Sequence, residues 1–194
     1  MKVQKLFKLV ILVLILFLIA GSGLARELQP NESPEAVSAS VSPAANARWF
    51  ISEIDTPGDT GQFPSVVINP SNDTTYVSYY DAANKTLRMA MNRGFGVGNC
   101  GPNNSWLCQT VDSTYGVGQY SSITVHPSSG EIGISYYDAT NGRLKYAHGK
   151  ICATCSWSID TVDQTLGFGI VTGKYTSLQY LSDGTPYILS LIHI

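Results

Sequence analysis

The sequence predicts an all-β fold made of tandem, four-stranded antiparallel units. The first observation is a motif that recurs with substitutions at spacings of 57 and 55 residues. It is Gly61-Gln62-Phe63-Pro64-Ser65, then GQYSS at 118–122 and GKYTS at 173–177. The second is that Ser78-Tyr79-Tyr80-Asp81-Ala82 returns at 135–139, again 57 residues later. Several independent motifs therefore share one register, which is the signature of a repeat architecture.

Each unit contains four segments with the composition of a strand. The segments are rich in β-branched and aromatic residues and are separated by turn residues such as Pro-Ser and Asn-Gly. No stretch of the folded part combines helical periodicity with helix caps, so helices are not expected. The predicted strands are 65–68, 75–80, 86–91 and 106–111 in the first unit and 122–125, 132–137, 143–148 and 157–162 in the second.

A four-stranded unit of about 50 residues in tandem is typical of a β-propeller blade. Trp49 to Asp55 is predicted to be the last strand of a further blade, because Trp followed six residues later by Asp recurs at 106/112 and 157/163. The copy that begins at Gly173 is predicted to open another blade. The prediction is thus an incomplete β-propeller with two whole blades and parts of two others. A β-sandwich built from a duplicated meander is the alternative fold.

The first 48 residues are predicted to lie outside the repeats. Three lysines precede an apolar run, Leu9 to Ala20, and small residues follow it up to Ala25. This pattern predicts a signal peptide over 1–25. A membrane anchor is the alternative, but the run is shorter than the ~20 residues that a bilayer span needs. Residues 26–48, with prolines and no aromatic side chain, are predicted to be a flexible linker.

The repeat region is predicted to end near residue 188. Ser-Tyr-Tyr-Asp is expected after Ile188, and Leu-Ser-Leu-Ile-His-Ile stands there instead. Residues 189–194 are therefore predicted to be a non-native tail on a truncated fragment. The exposed sheet edges of such a fragment are expected to favour self-association.

Two segments resemble the blades of known proteins. Residues 134–147, ISYYDATNGRLKYA, and 77–90, VSYYDAANKTLRMA, resemble the ISYYDATNGxLKxA-type blades of secreted bacterial and archaeal β-propeller-like tandem repeat proteins. The resemblance covers residues 49 to about 188. It implies a propeller fold and an exported protein, and it implies no activity, because propellers host many unrelated functions.

Four cysteines fall between the third and fourth strands of their units or just inside the fourth. Disulfides are the expected state in an exported protein, and pairing within each unit is the simplest of three possible pairings. A zinc site made of all four is the alternative, since Cys152-x-x-Cys155 has ligand spacing. The disulfide candidates are Cys100, Cys108, Cys152 and Cys155.

The Tyr-Tyr-Asp segments and the Gly-Gln-Tyr motif, which is expected to lie near them, carry the candidate ligand-binding residues. They are Asp81, Asp138, Tyr80, Tyr137 and Tyr120. Acids beside aromatic side chains suit sugar stacking or cation capture. The competing interpretation is structural: the aspartates cap their turns and one tyrosine of each pair fills the interface between sheets. His126 and His148 are interpreted as surface substitutions.

Composition and motifs favour binding over catalysis. Only 13% of the residues are charged and the net charge is −2, so nucleic acid is excluded as a partner. No nucleophile elbow or cofactor motif is present in the sequence, and no cofactor is expected. The prediction is an exported binding or scaffold module that is secreted, periplasmic or at the cell surface, with a carbohydrate or protein ligand.

The alternative function is a fragment of an extracellular carbohydrate-active enzyme, a glycosidase or lyase, whose catalytic residues lie in other blades. A carboxylate or histidine that breaks the repeat in one unit only would favour this alternative.

Overall fold

The strands of this protein form three antiparallel sheets. The computed structural model describes residues 51–56, 58–152, 155–163 and 170–193. The first sheet contains β1 (Thr60–Ile68), β2 (Thr75–Asp81), β3 (Thr86–Asn92) and β4 (Trp106–Asp112) in that order. The second contains β5 (Val117–Val125), β6 (Ile132–Asp138), β7 (Arg143–Gly149) and β8 (Ser158–Thr161), and the third pairs β9 (Val171–Tyr180) with β10 (Pro186–His193).

The all-β prediction is confirmed, and so are the four-stranded antiparallel sheets. Apart from a 3-10 turn at Pro102–Asn104, the described residues contain no helix. Every strand predicted for the two complete units is present. Seven of them are longer than predicted, and β8 is shorter. The largest extensions are in β1 and β5, which begin five residues before the predicted starts at 65 and 122.

The extensions arise from a bulge in the first strand of each sheet. Register shifts interrupt the pairing of β1 with β2 between Thr60 and Ser65. Phe63, Tyr120 and Tyr175 occupy the bulge positions with φ of 52°, 54° and 54°. A left-handed backbone costs an L-residue about 1–2 kcal/mol, so surrounding contacts must hold these three in place.

The three aromatic residues form a row across the sheets. The ring centroids of Phe63 and Tyr120 are 4.5 Å apart, and those of Tyr120 and Tyr175 are also 4.5 Å apart. Aromatic pairs at this separation contribute roughly 0.5–1.5 kcal/mol beyond the area that they bury. The row therefore links the first strands of the three sheets.

The main core lies between the first and second sheets. Apolar side chains of β2, β3 and β4 pack there against those of β5, β6 and β7, and each fully buried one contributes about 1.5–3 kcal/mol. The buried members are Tyr76, Leu87, Met89, Met91, Val111, Val117, Ile123, Ile132, Ile134, Tyr136 and Ala147.

The second sheet packs on the first as the third packs on the second. Ser65 Oγ accepts a hydrogen bond from the N–H of Ile123 at 3.2 Å. Ser122 Oγ, in the same position of the next unit, accepts one from the N–H of Leu178 at 3.0 Å. Repetition of a contact across two interfaces shows that the sequence repeat encodes the stacking of sheets as well as the sheets themselves.

Glycine is required at the same interfaces. A Cβ on Gly118 would lie 2.7 Å from Cα of Leu87, and one on Gly173 would lie 2.8 Å from Cα of Leu144. Both glycines have positive φ. Gly61, which begins the first copy of the motif, has positive φ but no atom within 4 Å of such a Cβ. Close approach of a neighbouring sheet therefore explains the glycine in the second and third copies only.

One prediction at the start of the repeat region meets a different structure. The sequence predicts a strand from Trp49 to Asp55, but residues 51–56 do not form one, so this prediction is wrong for the described residues. Trp49 itself lies outside the described residues. The predicted signal peptide at 1–25 and linker at 26–48 also lie outside them.

At the other end, residues 189–193 belong to β10 and pair with β9. Leu189 lies opposite Ser177 and Leu191 opposite Lys174, which reproduces the register of Ser135 and Tyr137 in the second sheet. The tail thus follows the backbone pattern of the repeat while it lacks the Tyr-Tyr-Asp side chains.

Candidate functional site

Asp81 and Asp138 organise the turns that follow β2 and β6. Asp81 is 1% exposed, and its carboxylate accepts hydrogen bonds from the backbone N–H of Asn84 at 2.9 Å and from its amide Nδ2 at 2.8 Å. Asp138 accepts the equivalent bonds from Asn141 at 3.0 and 2.8 Å. Burial acts to raise the pKa of Asp81, but the hydrogen bonds from Asn84 and the charge of Arg88 outweigh it and lower that pKa.

The three candidate tyrosines lie in or beside the interfaces between sheets. Tyr80 is 5% exposed and Tyr137 is 7% exposed. Tyr120 is half-buried, and its ring lies 6.2 Å from that of Tyr137. The five residues therefore lie at one end of the sheets, and a ligand-binding role for them stays a prediction.

A tyrosine, an aspartate and a cation meet in each complete sheet. Tyr79 Oη donates to Asp55 Oδ2 at 2.6 Å, and Arg88 Nη2 is 3.1 Å from the same oxygen. In the next unit, Tyr136 Oη donates to Asp112 Oδ2 at 2.7 Å and Lys145 Nζ donates to it at 2.6 Å. The aspartate that ends one unit thus bonds to the second and third strands of the next unit.

Two disulfides are present, as predicted, and each lies within one unit. Cys100 is bonded to Cys108, and Cys152 to Cys155. All four thiols are therefore used in pairs, in place of the alternative zinc site. Disulfides form and persist in oxidising compartments, so the pairs indicate such an environment.

The second unit departs from the first at three neighbouring positions. Tyr76, Met89 and Met91 are buried in the first sheet. The residues 57 positions later are Gly133, Tyr146 and His148, and Gly133 pairs with His148 as Tyr76 pairs with Met91. His148 replaces a methionine that is buried in the first sheet, but its own side chain is 38% exposed. His126 replaces Asn69 in a turn, where its Nδ1 accepts bonds from the N–H groups of Ser128 and Ser129.

Tyr180 of the third sheet fills the space that Gly133 leaves. A Cβ on Gly133 would lie only 2.4 Å from Tyr180 Oη. The two phenol oxygens of Tyr180 and Tyr146 are 2.6 Å apart and share a hydrogen bond. In the first unit the second strand supplies a large side chain, Tyr76, at this position. In the second unit that position is Gly133, and Tyr180 from the first strand of the third sheet fills the space and places its hydroxyl in the interface.

A shallow cavity of about 630 Å³, widely open to solvent, lies beside this cluster, at the end of the second sheet opposite the Tyr-Tyr-Asp turns. The connection between the third and fourth strands is six residues shorter than in the first unit, since Trp157 follows Trp106 by 51 positions whereas β7 follows β3 by 57. The lining residues are Glu131, His148, Gly149, Lys150, Cys155, Ser156, Trp157 and Ser158.

Charges of both signs surround the cavity. His148 stacks on the ring of Tyr146, with centroids 5.4 Å apart, and its Nε2 lies 4.0 Å from Asp160 Oδ2. Burial, the hydrogen bond with Tyr180 and the carboxylates of Glu131 and Asp160 raise the pKa of Tyr146. The Tyr146 hydroxyl is therefore protonated at neutral pH and acts as a hydrogen-bond donor or acceptor.

Sequence reasoning missed this cavity because it treated the two histidines alike. An alignment of the two units could have revealed it. Tyr76 and Met91, paired across two strands of the first unit, are replaced together by Gly133 and His148 in the second, which changes both size and polarity. The contact with Tyr180 has no such signal, because it joins residues of two units.

Within the described ranges, no group of three or more histidine, cysteine or acidic side chains is placed to hold a metal ion. In the same part of the chain, no helix has the length and apolar character needed to cross a bilayer. No family model, curated protein or solved structure matches this chain.

Proposed function

We propose that this chain is an exported β-propeller repeat module that binds an extracellular ligand or acts as a scaffold at the cell surface or outside the cell. Two features and a general property of stacked repeats support the propeller. The first strands β1, β5 and β9 lie side by side, the same contacts recur at both interfaces between sheets, and stacked repeat units gain their stability from such interfaces. The two disulfides support export.

The cavity of the second unit carries the binding part of the proposal. Asp81, Asp138 and the other residues that both units share are engaged in turns and between sheets. The residues that differ between the units, above all His148 and Glu131, line the cavity together with Trp157, which follows the shorter connection of the second unit. Concave sites with a few converging polar groups are where ligands bind to proteins.

A thermal-shift panel tests this function. The chain is produced in a secreting host, where the processed protein is expected to begin at Arg26. It is then screened with oligosaccharides, short peptides and, as a negative arm, duplex DNA. We expect at least one saccharide or peptide to raise the melting temperature, and His148→Met to reduce that increase. A panel in which nothing raises the melting temperature, or in which His148→Met responds like the wild type, contradicts the proposal.

A second candidate function is carbohydrate cleavage, which one observation favours. Glu131 and Asp160 replace Thr74 and Gln109 of the first unit, and both carboxylates act on Tyr146. Glycosidases use a pair of carboxyl groups that flank the scissile bond. If this function is correct, the chain releases reducing ends from a bound polysaccharide and Glu131→Gln abolishes that release. Release that persists in Glu131→Gln, or none at all from a polysaccharide that binds, contradicts it.

A further inference from the structure

We infer that the cavity of the second unit is a binding site for a neutral oligosaccharide, with a pyranose ring placed against the side chain of Trp157. The inference rests on the proposed binding function and names the ligand class for the same site. It follows from the kinds of side chain that meet there, from the size of the cavity and from a comparison of the two units.

Aromatic side chains supply the first part of a sugar site. Trp157 lines the cavity and is half-buried. Part of its indole packs against the main core and its Nε1 is buried, so only the remaining part of the ring is available for contact. Tyr146 and His148 stand beside it as a stacked pair. The C–H face of a pyranose is apolar while its rim is polar, and tryptophan and tyrosine combine the same two properties.

Polar side chains supply the second part. Glu131 offers acceptors, Lys150 offers donors, and Ser156 and Ser158 offer both. Sugar hydroxyls also donate and accept, so they can satisfy such a mixed set. Because the two charged side chains have opposite signs, the lining favours an uncharged ligand over a polyanion, and its polarity disfavours a lipid chain.

The volume agrees with a ligand of this class. Small-molecule sites are typically about 300–1,000 Å³, and this cavity of about 630 Å³ lies in the middle of that range. A short oligosaccharide fits a cavity of this size.

The first unit provides a natural control. Its equivalent tryptophan, Trp106, is half-buried like Trp157, and the longer connection packs against it, since a Cβ on Gly101 would lie 2.6 Å from Trp106 Cδ1. Met91 stands where His148 stands, so a methionine at this strand position is compatible with the fold. Trp157→Ala therefore has a matched control in Trp106→Ala. His126 is no control for His148, because its ring lies 5.0 Å from that of Tyr180.

The test is calorimetric titration of the full chain with three hexasaccharides, made of glucose, N-acetylglucosamine and galacturonic acid. At least one neutral hexasaccharide is expected to bind. Loss of a stacking or hydrogen-bonding partner should weaken its affinity about tenfold in His148→Met and in Trp157→Ala. Trp106→Ala should retain the wild-type affinity to within about twofold. Near-ultraviolet circular dichroism establishes that each variant is folded.

Three results would overturn the inference: binding of the acidic hexasaccharide alone, no binding of any hexasaccharide, or a loss in Trp106→Ala equal to the losses in the cavity variants. The proposed function fails separately. If a peptide from the thermal-shift panel binds and depends on His148 while no sugar binds, the binding function stands and the ligand class is wrong. If neither peptide nor sugar binds, both fail.

Discussion

Tyr136 Oη donates a 2.7 Å hydrogen bond to Oδ2 of Asp112, which is the last residue of the preceding sheet. Tyr79 makes the same bond to Asp55. In both pairs the aspartate lies 24 residues before the tyrosine in the chain. Asp112 is 2% exposed and Lys145 shares its Oδ2 oxygen. Because a buried carboxylate is costly without partners, the tyrosine and the cation together allow each unit to end on a charge.

Removal of the hydroxyl of Tyr136 is expected to destabilise the protein. Tyr136→Phe leaves the ring in the core but takes one donor from Asp112, which should lower the free energy of unfolding by about 1–3 kcal/mol. Urea denaturation measures this change. Tyr79→Phe should behave alike, whereas Tyr187→Phe, on a tyrosine that is 60% exposed, should change little. Equal small effects in all three variants would show that the bond to Asp112 contributes nothing.

Stability is expected to fall at acid pH through Asp112. Burial acts to raise the pKa of this carboxyl, but hydrogen bonds from Lys145, Thr114 and Tyr136 outweigh it and hold the folded pKa below 3.8. The stabilisation is therefore complete above the unfolded value of 3.8 and is lost as the pH falls through the lower folded value.

Urea denaturation of Asp112→Asn from about pH 7 to about pH 3 tests that sign. The variant is expected to be less stable at neutral pH, because Lys145 loses its counter-charge, and to lose less stability on acidification than the wild type. Asp160→Asn, which changes an exposed carboxylate, serves as the control and should keep the wild-type dependence. An unchanged acid dependence in Asp112→Asn would rule out this role.

The two disulfides are expected to contribute unequally. Cys100–Cys108 closes a separation of 8 residues and Cys152–Cys155 one of 3. On loop entropy alone, the alanine double variants should lose about 2.5 and about 1.6 kcal/mol respectively. Guanidinium denaturation of both double variants measures the difference. A larger loss for the Cys152–Cys155 pair would contradict the loop-entropy account.

A tyrosine at position 190 is expected to stabilise the third sheet. Ser190 holds the register position of Tyr136, and Asp163 holds that of Asp112. Among the described residues no hydrogen bond reaches the buried Oδ2 of Asp163, while Arg143 Nη1 is 4.0 Å from it. Ser190→Tyr should supply that bond and raise the free energy of unfolding by about 1 kcal/mol. If Ser190→Tyr and Ser190→Phe have the same free energy of unfolding and neither exceeds that of the wild type, the hydrogen bond has not formed.

The strands were predictable because the repeat supplied two aligned copies of each one. Asp81 and Asp138, named as possible turn caps, bond within their turns. The left-handed conformation of Phe63, Tyr120 and Tyr175 was not predictable from propensity, since bulky residues disfavour it. It depends on contacts between sheets, which a single-strand pattern does not contain.

The cavity was harder to predict than the strands. Gly133 and His148 are adjacent only through the pairing of β6 with β7, and Tyr180 joins them only when the third sheet packs. The segment Trp49 to Asp55 shows the opposite error. Its sequence resembles a fourth strand, but its described residues do not form a strand. They keep one contact of the repeat, the hydrogen bond between Asp55 and Tyr79.

The central claim is that consecutive sheets stack through the same residues, and alanine at the three motif glycines tests it most directly. Gly61, Gly118 and Gly173 all have positive φ, so each alanine variant should lose about 1 kcal/mol for its backbone. Only at Gly118 and Gly173 does a Cβ meet the backbone of the preceding sheet, below 3.0 Å. Urea denaturation should therefore show a further loss of about 1–3 kcal/mol in Gly118→Ala and Gly173→Ala relative to Gly61→Ala. Equal losses at all three positions would contradict the repeated stacking of the sheets.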